Sequence, residues 1–192
     1  MRKLAYEVEG ISPGRQALDA SILGAVEVLV SFIAARWLAL LNFANFAFAG
    51  VAVLIPVLRY VGFSWLANPL FSVYSLVCHQ LPYRSDFILG FQVAMCQRNM
   101  AIYTSMGVAG VVFGLIRTRL KPLPWQAYVL LITPMAIDGF TQLFGLRESD
   151  WMLRTVTGTL FGASTVWIAY PYIETVMRQL QATLPSPVER ES

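Results

Sequence analysis

The two cysteines and the single histidine of this chain fall close together. Cys78 and His79 are adjacent in Cys-His-Gln-Leu-Pro-Tyr-Arg-Ser, and Cys96 opens Cys-Gln-Arg-Asn a short way on. Thiolate and imidazole are the ligands that hold zinc, copper, iron or haem. Neighbouring side chains on a regular helix project about 100 degrees apart, so Cys78 and His79 share an ion only where the chain bends. Pro82 supplies a reason for a bend. A fourth ligand would come from Asp138 or water, which makes Cys78, His79, Cys96 and Asp138 the candidate metal set. Two other readings of the same residues stand beside it. The cysteines could form a disulfide or redox-active pair in an oxidising compartment, or simply pack. No Cys-x-x-Cys spacing is present to decide between them.

A second constellation lies further along the chain: Pro134, Asp138, Gly139, Gln142, Gly145, Arg147, Glu148, Ser149 and Arg154. Asp138 and Gln142 are four apart and share a helix face. A carboxylate inside an apolar stretch is expensive and normally has a partner. Arg84, Arg98, Arg147 and Arg154 are the candidates, and with Gln142 and Ser149 they make a second shell or an anion-binding group. The bland alternative is an ion pair that fixes helix ends.

The elements that must hold these residues are membrane helices. Of 192 residues, 57% are hydrophobic and 13% charged, and the mean hydropathy is +0.59. A soluble domain carries nearer a quarter charged residues. The net charge of +3 is mild, and the basic residues flank apolar runs rather than forming a nucleic-acid footprint. The fold class expected is an all-α, polytopic transmembrane bundle. About 20 apolar residues cross a bilayer, and residues 38–58, 99–116, 122–146 and 155–173 supply four such spans. Residues 17–36 carry Glu27 and read as an interfacial helix, in preference to a fifth span or the start of one long helix. Residues 62–98, with Pro69, Pro82, Arg84, Asp86 and Arg98, suit short surface helices or a re-entrant pair.

Arg117, Arg119 and Lys121 follow the second span with no acid among them, which places that loop in the cytoplasm. Both termini then lie in the cytoplasm of a multi-pass cell-membrane protein, and residues 62–98 and 146–154 face outside. No signal-peptide pattern opens the chain, so no cleavage is expected. Residues 1–16 read as a cytoplasmic segment, 17–178 as one membrane-embedded domain and 179–192 as a flexible tail. Asp150 or Ser149 is placed to cap the last span. Gly110 with Gly114, and Gly158 with Gly162, are four-apart ridges that let helices approach closely.

These motifs resemble an uncharacterised prokaryotic membrane-protein family, a domain of unknown function. The resemblance rests on Cys78-His79-Gln80 with Arg84-Ser85, on Cys96-Gln97-Arg98 with Ile102-Tyr103, and on Asp138-Gly139-x-Thr141-Gln142. It continues through Gly145-Leu146-Arg147-Glu148-Ser149, Arg154 and Thr157-Gly158. It implies a small multi-span protein without an assigned activity. Many members place another cysteine three positions after the one matching Cys96, where this chain has Asn99. That departure weakens a structural zinc centre most.

Three functions compete: a metal or redox centre at an outer-face Cys/His site, a structural or assembly subunit of a membrane complex, and an enzyme or carrier for an anionic lipid or isoprenoid phosphate. The partners expected are the lipid bilayer and other membrane proteins or further copies of the chain, not nucleic acid. No phosphate-cradling glycine loop, nucleophile elbow or His-Glu-x-x-His motif is present.

Overall fold

The protein is described by a computed structural model covering residues 13–184. In chain order its elements are α1 (Pro13–Tyr60), α2 (Ser64–Tyr74), a 3-10 turn (Pro82–Arg84), β1 (Ser85–Ile88), β2 (Phe91–Cys96), α3 (Gln97–Ile116), α4 (Trp125–Leu143) and α5 (Trp151–Thr183). The expected cytoplasmic residues 1–12 and the tail from 185 onward lie outside the described residues. The chain is still helical through Thr183.

Two compact units result, one of Leu38–Thr175 and one that joins Met1–Trp37 to Val176–Ser192. In the second, the Gln181 amide donates to the Ala34 carbonyl at 2.7 Å. All the candidate chemistry lies in the first.

Helices stand at all four expected spans, but α4 and α5 fall short of the expectation. Among the described residues only α1 and α3 are long and apolar enough to cross a membrane. Gln126, Asp138 and Gln142 dilute α4, and Arg154, Glu174 and Arg178 dilute α5. The interfacial reading of residues 17–36 gives way to one uninterrupted helix, because α1 runs through Glu27 to Tyr60 without a break. Nothing in Ala-Ala-Arg-Trp-Leu-Ala around Arg36 stops a helix.

The all-α expectation is also corrected. Residues 85–96 form an antiparallel hairpin with Ile88 opposite Phe91 and Ser85 opposite Cys96. The two-residue turn places Leu89 at φ 53° and Gly90 at φ 83°, the left-handed pair that matches strand twist. Val93, Ala94 and Met95 are all buried, at 2%, 0% and 0% exposure. They pack with Ala52 and Ile55 of α1 and with Ala67 and Tyr74 of α2. A strand buried on both faces loses the polar–apolar alternation by which strands are read. The register shift between Ser85 and Phe87 breaks what period remains.

α3 is held on two sides by close approach. Gly107 faces Phe46 and Gly110 faces Asn42, both on α1. Gly158 and Gly162 of α5 lie against the other side of α3. A methyl on Gly158 would sit 2.7 Å from the Arg98 carbonyl oxygen, and one on Gly162 would meet Ser105 and Ile102. The ridge predicted at Gly158 and Gly162 is therefore an α3–α5 seam. Gly162→Val is expected to destabilise by about 1–3 kcal/mol through overpacking. Thermal unfolding in detergent would read this as a lowered midpoint, and an unchanged midpoint would mean that the seam is looser than described.

Candidate functional site

Short-range features of the sequence turn the relevant side chains toward one end of α3. Gln80 has φ 51°, an uncommon conformation for a residue with a Cβ, and three hydrogen bonds hold it there. Its amide donates to the carbonyls of Phe71 at 2.7 Å and Ala94 at 3.0 Å. Its own carbonyl accepts from the Gln92 amide at 2.7 Å. This clamp fixes the loop carrying Cys78 and His79 onto β2, which ends at Cys96. At the far end of α4, Gly145 has φ 67°. There the Leu146 N–H returns to the Thr141 carbonyl and the Gly145 N–H to that of Gln142, a left-handed helix stop. The reversal carries Arg147 back over Asp138. The Asp150 carboxylate caps α5, accepting from the Leu153 N–H at 2.7 Å, as expected of it. Ser149 turns instead to Asp138.

Asp138 is 1% exposed and its two oxygens take four side-chain donors. Oδ2 accepts from Arg98, from the Gln142 amide at 3.1 Å and from the Ser149 hydroxyl at 2.9 Å. Oδ1 accepts from Arg147 at 2.7 Å. Two of the four donors are guanidiniums, so the carboxylate charge is already neutralised by Arg98 and Arg147. Among the described residues no group of three or more His, Cys, Asp or Glu side chains could hold a metal ion. The metal set expected from the sequence is thus divided: Asp138 is enclosed by arginines, apart from the sulfur and imidazole groups.

The sulfurs do come together. The two cysteines are free thiols, and the Cys96 backbone N–H donates to Cys78 Sγ at 3.2 Å. The Cys96 thiol, assisted by backbone donors and the His79 charge, outweighs burial and lowers Cys78 to about 6. The Cys78 thiol and burial push Cys96 the other way. Of the two sulfurs, Cys78 is therefore the one that ionises more readily.

Cys78 and Cys96 open on a cavity of about 180 Å³. His79, exposed, lines it, as do Arg84, Arg98, Gln142 and Arg154. Asp138, Arg147 and Ser149 do not; they form the ion cluster behind Arg98 and Gln142. Arg154, 5% exposed, donates from one terminal nitrogen to the Tyr83 carbonyl at 3.3 Å and the Gln97 amide oxygen at 3.0 Å. Gln97 in turn donates to Asp86 at 3.0 Å. Sequence reasoning did not single out Gln80, Gln97 or Asn99 as site residues. Asn99 lines the same cavity and donates to the Val77 carbonyl at 3.1 Å. Its place one helical turn from Cys96 was the available signal.

Residues 78–168 match the family model described as predicted membrane protein (DUF2085). An uncharacterized protein of Methanocaldococcus jannaschii is 40% identical over 126 residues, 62% of this chain and 80% of the relative. The chain belongs to the DUF2085 family. A second relative, an uncharacterized protein of Methanothermobacter thermautotrophicus, is 35% identical over 82 residues, 43% of this chain and 74% of its own length. No solved structure matches the chain. The DUF2085 match begins at Cys78 and takes in both the thiol pair and the arginine cluster, so the site described above belongs to the family region of the chain.

Proposed function

We propose that this DUF2085 member is a multi-pass membrane protein that performs thiol–disulfide exchange at the outer face of the membrane. One observation carries the reading: the Cys96 backbone N–H donates to the Cys78 sulfur, and both cysteines line one polar cavity. A stabilised thiolate with a second thiol in contact is the arrangement of a nucleophile and its resolving partner. Cys78 attacks one sulfur of a partner disulfide and releases the other as a thiolate. Cys96 then attacks the Cys78 sulfur, its proton passing to the departing thiolate, and the second partner sulfur leaves. The protein gains the Cys78–Cys96 bond and the partner disulfide takes up the two electrons.

The orientation follows from charge. The thiols stand at the Gln97 end of α3, and Arg117, Arg119 and Lys121 follow its other end. With α3 crossing the bilayer, the positive-inside tendency puts the basic loop in the cytoplasm and the thiols outside, where disulfides persist. Crossings by α1, α4 and α5 complete the bundle and leave both termini in the cytoplasm.

The test is a trapping experiment. Cys96→Ser protein in vesicles, given a small aromatic disulfide, is expected to accumulate a mixed disulfide on Cys78, whereas the unaltered protein releases it. Modification of neither cysteine, or an equal yield of mixed disulfide from both proteins, would contradict the assignment.

A further inference from the structure

The cavity beside the thiols carries more positive charge than the protein itself satisfies. Three guanidiniums line it, those of Arg84, Arg98 and Arg154, and its lining contains no carboxylate. Asp138 neutralises Arg98 from behind. No Asp or Glu among the described residues pairs with Arg84 or Arg154. The Nε of each of the three arginines is buried and has no hydrogen-bond partner. Arg154 is the decisive one, because it is almost wholly buried. Its contacts, the Tyr83 carbonyl and the Gln97 amide, are neutral. A buried guanidinium without a carboxylate partner is costly to fold around, and the Cys78 thiolate on the same cavity offsets at most one of the two unpaired charges; an unmet buried donor adds to the cost. A ligand supplying negative oxygens to the guanidinium groups that line the cavity would meet the first of these costs.

We propose that Arg84, Arg98 and Arg154 form an oxyanion-binding site, and that the disulfide exchanged at Cys78 is a small acidic one whose anionic group this site holds. The second half rests on the exchange reading; the first does not. Guanidinium donors suit carboxylate and phosphate oxygens alike. At about 30 Å³ per water in the liquid, the space equals roughly six waters, enough for an acidic group and part of its stem. Arg84 reaches the site half-buried beside the exposed His79, which marks the way in.

The test has two arms. In the first, full-length protein in neutral-lipid vesicles reacts with three small disulfides of similar size: dithiodipropionate, hydroxyethyl disulfide and cystamine. The dianion is expected to modify Cys78 at least about tenfold faster than the neutral compound, with the dication slowest. Arg84→Gln should cancel most of the dianion's advantage. Equal rates for the three compounds would overturn the acidic-partner assignment.

The second arm uses protein lacking both thiols, Cys78→Ser with Cys96→Ser, so that exchange chemistry is absent. Inorganic phosphate should raise its thermal midpoint above that in chloride of equal ionic strength, and Arg84→Gln or Arg154→Gln should abolish the rise. No rise with either phosphate or anionic-lipid vesicles would overturn the oxyanion site whatever the thiols do. A rise given by anionic-lipid vesicles but not by phosphate would assign the site to a lipid headgroup and overturn the soluble partner.

Discussion

Asp138→Ala is expected to destabilise the protein by roughly 3–5 kcal/mol, a large part of a typical stability of about 5–15 kcal/mol. The cost does not come equally from the two arginines that Asp138 holds. The Arg147 side chain is 48% exposed and can turn to water, so its loss is small. The Arg98 side chain is 19% exposed and is left with a charge that only the small cavity beside it can solvate. The Ser149 hydroxyl and Gln142 amide lose their acceptor as well. Removing both charges together, as Asp138→Leu with Arg98→Met, should recover much of the stability, because an apolar pair carries no desolvation cost. Thermal midpoints of the single and double variants in one detergent decide this. A single variant as stable as the parent would mean that the cluster is not held as described.

The second large effect concerns Cys78. A thiol lowered to about 6 is about nine-tenths ionised at pH 7, whereas one at about 8.5 is only about three per cent ionised. Iodoacetamide labelling of Cys78 should therefore rise with a midpoint near pH 6 and be nearly flat above pH 7. Protonation below that midpoint removes the nucleophile. The hydrogen bond from Cys96 is the largest cause of the lowering, so Cys96→Ala should move the midpoint up toward the ordinary range. Mass-spectrometric labelling against pH reads both, and a midpoint unchanged by Cys96→Ala would separate the two sulfurs.

Much of the site was legible because its residues break the local pattern. A lone acid in an apolar run demands donors, and Arg98, Arg147, Gln142 and Ser149 supply them. Arg84 and Arg154 were grouped with those donors by sequence, but the fold turns them to the cavity instead. Which arginine meets which group depends on the Gly145 reversal and the α3–α5 seam, both of which act across the chain. The hairpin was hidden for a similar reason. β2 is buried on both faces, and its left-handed turn uses Leu89, a residue with no turn signature. The four helical segments were plain from hydropathy, but their ends and the unbroken run through Glu27 in α1 were not.

The thiol pair itself is open to one direct measurement. Full-length protein equilibrated across a series of thiol–disulfide buffers, then quenched and analysed by mass spectrometry, should pass reversibly between two free thiols and a Cys78–Cys96 disulfide in one two-electron step. Thiols that stay free throughout the series, or disulfides formed only between separate chains, would contradict the account.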